Sequence, residues 1–534
     1  MKIQICLLIS LSVFGSFSAD ATFLRVPTEY PTIQAAVDVA LDGDTVLLAD
    51  GVYSGNGNRG ISIYNRAVSI RSETGPSHCV VDCEGNTYAF LFARNGTRQI
   101  LLQGITIENG SQYKGGGLHA SWCNLAVRDC IFQNNHAQAG GGAIFIEDCR
   151  SPSVLFDRCL IQNNTANGGG GLYLVESRVN MIKCCVTGNN AGEHGGGLRL
   201  DQCMDCSIAD TIISGNQSMI QGAGILDYCS QFVTISNCTV CRNSANENGG
   251  GIYFWGTGHS DIVSCVISNN YSGGEGGGIY FSTTNRVELS DCEIGYNECD
   301  DYGAGISWKD SELATLSHCV FNSNVSGQNG GAIGFSYVDD ASITNCLFSQ
   351  NSAGQNGGCF HWFFSTSAQI KNCTLTDNVA GNEGGAIYSD QTAPQIDNSI
   401  IYFNSTPPIN TSACEIRFSD VEGGYSGQGN IDLDPLFIEG PRGDYYLSQI
   451  RAGQPENSPC LEAPNAYSAD VCFESTAGEI CMDQLTTGTD FEADFDHVDM
   501  GFHYDRTLLP FNDPMPPIPF WLQPIPVMRE RTHR

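Results

Sequence analysis

Positive charge is scarce in this sequence. Lys and Arg total 25 against 58 Asp and Glu, a formal net charge of −33 over 534 residues. Phosphate backbones are held by clustered Lys and Arg, so this balance excludes a nucleic-acid binder and works against adhesion to anionic membranes. Long apolar runs are also missing. Past Phe14 no stretch is apolar enough to span a bilayer, and no transmembrane segment is expected in the mature chain. Runs with a 3.6-residue period, the mark of helical repeats, are absent. Zinc chemistry finds no support: Cys203-x-x-Cys206 lacks a second Cys pair or a suitable His pair nearby. Apolar residues still make up 41%, enough for a large core and too many for global disorder.

Glycine is abundant, with 62 residues, and it is placed periodically. A Gly-rich tripeptide precedes Leu118, Ile144, Leu172, Leu198, Ile225, Ile252, Ile279, Ile306, Ile333, Phe360 and Ile387, at spacings of 26, 28 and 26 residues and then 27 seven times. A second series, Cys130, Cys159, Cys185, Cys238, Cys265, Cys292, Cys319, Cys346 and Cys373, runs in step, with Thr211 and Ser399 in the same phase. A third runs through Asn135, Asn164, Asn190, Asn216, Asn243, Asn270, Asn297, Asn324, Asn351, Asn378 and Asn404. Inside each unit apolar residues alternate over short runs, the period of a β-strand.

Three short strands with turns between them make one coil of a solenoid, and eleven coils at ~4.8 Å make a rod of about 53 Å. Stacking places like residues above one another, so Asn can bond Asn in the neighbouring coils, while Gly and Asn suit left-handed corners. Phe254, Phe281, Trp308, Phe335 and Trp362 share one inward phase and are expected to stack as a core column. The Cys series reads as packed thiols, because in-register side chains point in parallel and do not meet disulfide geometry. Cys79 with Cys83, and pairings among Cys460, Cys472 and Cys481, are the better candidates for bridges.

These coils resemble the right-handed parallel β-helix, or pectin-lyase-like, superfamily over roughly residues 24 to 440. The Gly-Gly-Ala-Ile runs ending at Ile144, Ile333 and Ile387, with the Phe-x-x-Asn units ending at Asn135, Asn324 and Asn351, resemble repeats of the chlamydial polymorphic outer-membrane proteins. Those proteins carry a C-terminal membrane barrel. Amphipathic terminal strands are not seen here, so anchoring by that route is not expected. Asp420 to Phe437 and Val498 to Tyr504 resemble the closing segments of bacterial secreted β-helix proteins. The expected fold is all-β: a right-handed parallel β-helix solenoid with an N-terminal capping helix around Pro31 to Ala40 and an irregular C-terminal segment.

The expected divisions are a signal peptide at 1–21, cut after Ala21, and an N-terminal cap with irregular coils at 22–115. Regular coils at 116–405, a closing segment at 406–505 and a Pro-rich tail at 506–534 follow. A signal peptide implies a secreted or cell-surface protein.

Chemistry on a packed solenoid belongs on an outer strand face. If the residue after each Gly triplet points in, those one and three positions later point out. Tyr253, Trp255 and Tyr280 then form a flat aromatic patch suited to stacking on a sugar, with Arg199 and His361 as further substrate-binding candidates. Asp201 and Asp227, on adjacent coils, have a carboxylate spacing suited to glycoside hydrolysis. Asp227 nevertheless aligns with inward Phe254, so either the strand slips or a carboxylate is buried. Lys309 is the candidate cation for a uronate lyase, but it lies four coils from Arg199, roughly 19 Å away. Polygalacturonase signatures are absent. The doublets Asp300-Asp301 and Asp339-Asp340 are either turn ligands for calcium or solvated loop charges; no other cofactor is expected. The function these residues point to is carbohydrate-directed: binding of a polysaccharide or cell-surface glycan, with lyase or hydrolase activity open. The alternative is a non-catalytic adhesin or structural repeat protein.

Overall fold

The computed structural model describes residues 22–505 except 97, 152, 412, 462–471, 476–477, 491 and 494–497. The expected signal peptide and Pro-rich tail lie outside the described residues. Each repeat unit is one rung of a parallel stack. The rung that opens at Ile252 has strands Ile252–Trp255, Gly258–Val263, Val266–Ser268 and Tyr271–Ser272. Each pairs in register with its counterpart one rung on, as in Ile252↔Ile279, Ile262↔Leu289, Ile267↔Ile294 and Ser272↔Cys299. The rod therefore has four ladders, not the three expected. The fourth follows the ladder Asn and is two residues long in most rungs, too short to show an alternation. The first and second ladders join in one 29-stranded sheet; the third has 15 strands and the fourth 11.

The lumen is built as the periodicity requires. Phe254, Phe281, Trp308, Phe335 and Trp362 lie in register and are no more than 1% exposed. Phe281 and Trp308 have ring centroids 4.4 Å apart, and Phe335 and Trp362 stack at 3.8 Å and 8°. Sharp corners let strands this short enclose a core. The first residue of each triplet takes a left-handed turn, and at Gly276 (φ 66°) a Cβ would sit 2.4 Å from the Ile279 carbonyl oxygen. Only glycine fits there.

The Asn series forms a closed hydrogen-bond ladder inside the rod. Asn270 Nδ2 donates to Asn297 Oδ1 (3.0 Å) and to the Val240 carbonyl (2.9 Å), and its Oδ1 accepts from Asn243 N (3.0 Å) and Nδ2 (3.0 Å). All four side-chain bonds are made, as burial demands. One position differs from the sequence reading. Asn189, not Asn190, continues the ladder from Asn164 to Asn216, and Asn190 is exposed.

The Cys series is a ladder of hydrogen-bonding γ groups as well as packed thiols. Cys265 Sγ accepts from Cys238 N (3.4 Å) and donates to the Val263 carbonyl (3.3 Å). Thr211 and Ser399 do the same with oxygen: each accepts from the rung before and donates to the carbonyl two residues back. Here too the register corrects one residue. Cys184 holds the slot between Cys159 and Thr211, while Cys185 packs outside with Leu160. A second γ-group ladder runs through the corner between the first two strands, as in Cys123 N to Cys149 Sγ (3.2 Å) and Cys149 N to Ser177 Oγ (3.1 Å).

At the N-terminus the expected helix spans Ile33–Val39, with Thr32 Oγ1 accepting from Ala35 N (3.2 Å) and Ile33, Ala36 and Val37 buried on the first rungs. At the other end a last rung forms from Ile409–Thr411, Glu415–Arg417 and Asp420–Val421. A loop bonded from Val421 N to the Ile431 carbonyl (3.0 Å) covers it. The chain then turns back along the outside of the third ladder, where a hairpin of Phe437–Gly440 and Gly443–Leu447 docks with residues 498–505. Tyr446, Phe502 and Tyr504 cluster on Leu347, and Asn345 Nδ2 donates to the His503 carbonyl (3.0 Å). Cys472 and Cys481 form a disulfide; Cys460 is free, with its thiol donating to Asp420 Oδ2 (3.2 Å). Cys79 and Cys83 are buried and unbridged, so that expected pairing does not form.

Candidate functional site

The first ladder carries two outward positions per rung. In one the series runs Tyr253, Tyr280, Ser307, Gly334, His361, Tyr388; in the other, Trp255, Ser282, Lys309, Ser336, Phe363, Asp390. Large side chains flank a run of small ones. Ser307, Gly334 and Ser336 leave a hollow, and the result is a groove of about 410 Å³. Glu275, Tyr302 and Asn356, from the turns before the Gly triplets, line it with Tyr337, which sits at a left-handed corner (φ 55°) within the strand Ile333–Asp339. Its far end holds His361, Phe363, Tyr388 and Asp390.

The groove brings together two residues singled out in the sequence, Lys309 and His361. His361 stacks on Tyr388 (5.4 Å, 4°) and meets Tyr302, two rungs away, at 5.9 Å. That reach is possible because Gly334 lies between them. Burial pushes the His361 pKa down to about 4 against the pull of Asp390, so the imidazole is neutral at neutral pH. Glu275 accepts from Ser307 Oγ (2.8 Å). The Lys309 ammonium has no carboxylate within ion-pair distance among the described residues.

Arg199, Tyr253 and Trp255 lie in a smaller hollow of about 160 Å³ further along the same face, with Tyr228 and His194. Arg199 forks onto Asp201 (3.0 and 2.9 Å) and lies over the Tyr173 ring at 4.6 Å; the Tyr173 hydroxyl also donates to Asp201. Asp201 is thus fully engaged and does not serve as a free base. The aromatic patch is not flat. Tyr253 stacks on Tyr280 (5.1 Å, 15°) and Trp255 on Tyr228 (4.6 Å, 9°), so the rings pile up along the rod and turn edges outward. Tyr253 and Tyr280 are only 7% and 6% exposed.

Asp227 resolves the open choice between strand slip and burial. The register Leu200↔Asp227↔Phe254 is unbroken, and the carboxylate sits in the lumen at 0% exposure. Thr257 Oγ1 donates to it (3.2 Å), yet burial raises its pKa to about 7. The Asp201–Asp227 pair therefore does not form on the outer face.

In the two acidic doublets, three carboxylates accept from side chains: Asp300 from Tyr271, Asp301 from Gln328 and Asp339 from Thr366. No group of three or more His, Cys, Asp or Glu suited to a metal occurs among the described residues.

Chemically, the groove offers aromatic walls with an ammonium, a neutral imidazole, two carboxylates and an amide around one hollow, an arrangement that holds a polyhydroxylated ring. Paired acid–base work is not set up. Glu275 and Asp390 belong to rungs four apart, roughly 19 Å, against the ~5–9.5 Å of glycosidase carboxylates. A His with a pKa near 4 is also a poor proton acceptor. Sequence reasoning missed Glu275, Tyr302, Tyr388 and Gly334. The available sign was the loss of bulk at 307, 334 and 336 within an otherwise large outward series.

The sequence profile of the right handed beta helix region matches residues 170–328 and 277–426, and that of the Chlamydia polymorphic membrane protein repeat matches residues 129–147. No curated protein matches the chain. Among solved structures, the A-module of a mannuronan C-5 epimerase from Azotobacter vinelandii is 12% identical, over 76% of this chain and 94% of that one, with a TM-score of 0.34. A PL6 family alginate lyase is 13% identical, over 83% of this chain and 57% of that one, at 0.34. A pectate lyase is 12% identical, over 81% and 87%, at 0.22. No helix among the described residues is long and apolar enough to cross a membrane. The chain is a right-handed parallel β-helix repeat protein whose repeats resemble those of the chlamydial polymorphic membrane proteins.

Proposed function

We propose that this protein is a secreted or cell-surface glycan binder that holds saccharide in the first-ladder groove without turning it over. The observation that carries the reading is the hollow over Ser307, Gly334 and Ser336, walled by Tyr302, Tyr337 and His361 with Lys309 unpaired beside it. Aromatic walls take the apolar faces of sugar rings, and Lys309, Asn356, Glu275 and Asp390 take hydroxyls. Charge narrows the ligand. A protein of net charge −33 with one cation in its groove repels a polyuronate and favours a neutral glycan. The fold and its repeats agree with a surface or secreted setting. A structural or adhesive role without a glycan is the second reading, favoured by the evenness of the rungs outside the groove.

A glycan array with neutral and uronate-containing chains tests this, together with an assay for reducing ends and unsaturated products. Binding of neutral glycans, lost in Tyr388→Ala or Lys309→Ala and without product formation, is expected. Unsaturated products from a uronate chain would replace binding with lyase chemistry. Silence across the array would leave the structural role.

A further inference from the structure

The outward row of the third ladder is covered at one end, self-closed at the other and open between. At the C-terminal end the hairpin and residues 498–505 lie over it, and Leu347, Thr374 and Ile400 are 5%, 1% and 0% exposed. At the N-terminal end Leu160 and Cys185 close on each other, at 3% and 1%. The stretch between runs Ile212, Thr239, Val266, Glu293 and Val320, four rungs or about 19 Å. Val266 is 37% exposed there, and Tyr296, at the corner beside it, is 57% exposed. The backbone groups of this sheet are spent on the neighbouring rungs, so a cover meets it side chain on side chain, as the hairpin does further along.

The chain that covers the upper rungs is travelling toward this stretch. Gly501 N donates to the Asn398 carbonyl (2.8 Å), Phe502 N to Thr374 Oγ1 (3.0 Å) and His503 N to Asn345 Oδ1 (2.6 Å), and Tyr504 packs on Leu347. These partners belong in turn to the rungs that open at Ile387, Phe360 and Ile333, so the chain steps along the ladder toward its N-terminal end. Asp505 acts on Arg442, which shares a cleft of about 370 Å³ with Glu293, Tyr296 and Val320. The chain thus reaches the open stretch at Asp505.

What comes next in the sequence matches the row. Leu508, Leu509 and Phe511 are apolar, and Pro510 gives up an N–H and favours extended backbone before it. The tail has four Arg against Asp513 and Glu530, a positive balance beside a strongly acidic body. Seven residues at ~3.1 Å each reach about 22 Å, the length left uncovered.

We propose that residues 506–512 of this chain dock along the third ladder from Val320 to Ile212, with Leu508, Leu509 and Phe511 covering Val266 and the Tyr296 ring and Arg506 set against Glu293. The inference stands apart from the glycan groove, which lies on the first ladder.

The experiment is brief chymotryptic digestion of the full chain, with fragments read by mass spectrometry and each rate divided by that of the same bond in a free peptide of residues 505–534. Phe511 and Phe520 both follow a proline, so they are matched sites on one tail. Cleavage after Phe511 is expected to be about tenfold or more slower than after Phe520, because it tracks the undocked population. Val266→Asp should remove that protection. Val379→Asp makes the same change at an exposed position of the fourth ladder and should alter it by less than about twofold. Val266→Asp alters an exposed side chain, so its melting temperature should stay within about 2 °C of the native chain, which separates release of the tail from unfolding. A photo-crosslinker at Phe511 should join peptides that contain Val266 or Tyr296 of the same chain. Equal relative rates at Phe511 and Phe520, equal effects of the two Asp variants, or crosslinks to a second copy or to another ladder would overturn the proposal.

Discussion

The corner ladders inside the rod and the outward rows of the first ladder are made by the same repeat, and they behave in opposite ways. Inside, each rung repeats its neighbour: Asn243, Asn270, Asn297 and Asn324 make the same four bonds in turn. Outside, adjacent rungs carry Tyr280, Ser307, Gly334 and His361 in one position. A buried polar group has no alternative partner, so every rung must supply the same chemistry. An outward group has water as its alternative, so the row is free to vary. The repetition specifies the fold, and the departure from repetition specifies the groove.

This contrast can be broken at its strongest point. Asn270→Leu leaves Asn243 N and Nδ2, the Val240 carbonyl and part of Asn297 unpaired. At roughly 1–3 kcal/mol for each buried group, a loss of about 5 kcal/mol is expected in urea denaturation. The exposed Asn246→Leu should change stability by less than about 0.5 kcal/mol.

Asp227 is an acid that has entered the lumen, and its effect depends on pH. Its folded pKa, about 7, lies above the ordinary 3.8, so the folded state keeps a proton that the unfolded chain releases between these values. Its contribution is fully present below pH 3.8 and is lost as pH rises through about 7. Asp227→Asn should therefore stabilise the chain at pH 8 by up to roughly 4 kcal/mol and by little at pH 4, measured as paired denaturation curves. His361 works with the opposite sign. Its folded pKa of about 4 lies below 6.5, so its contribution is present above pH 6.5 and is lost as pH falls through about 4.

The outward rows allow a sharper test. Gly334 has no positive φ, and an added Cβ would meet the Gly303 backbone nitrogen at 3.3 Å, a tight contact that asks the backbone to shift by a few tenths of an ångström. Gly334→Phe should fill the hollow, lower stability by about 1 kcal/mol and reduce glycan affinity about tenfold or more by array titration. The smallest effect belongs to the thiol ladder. Cys265→Ser should shift stability by less than about 1 kcal/mol, because Thr211 and Ser399 already fill that slot with oxygen, whereas Cys265→Val strands the Cys238 N–H and should cost about 2 kcal/mol.

The coil, its inward aromatic column and the Asn and Cys ladders were legible because burial forces them to recur. The two register errors have one cause. Asn189-Asn190 and Cys184-Cys185 are adjacent pairs in a rung of irregular length, and a one-residue slip offers the same chemistry to the eye. Only the structure shows which member points in. The groove was half legible: Lys309 and His361 follow from the alternation, but Glu275 and Tyr302 come from turns with no strand period. A hollow made by Gly334 is an absence that no motif records. The packing of the hairpin at 437–447 and of residues 498–505 onto the third ladder had no local sign, since it depends on contacts between segments more than a hundred residues apart.

The Asn column has one more consequence. Each amide accepts on its oxygen from the rung before, and gives one hydrogen to the rung after and the other to a carbonyl of the rung before, so successive junctions along the ladder repeat the same bonds. Duplicating a 27-residue unit such as 252–278 would lengthen the shaft by about 4.8 Å without stranding a donor or disturbing either end. Such a molecule can change its reach by whole steps while its chemistry stays in a few rungs.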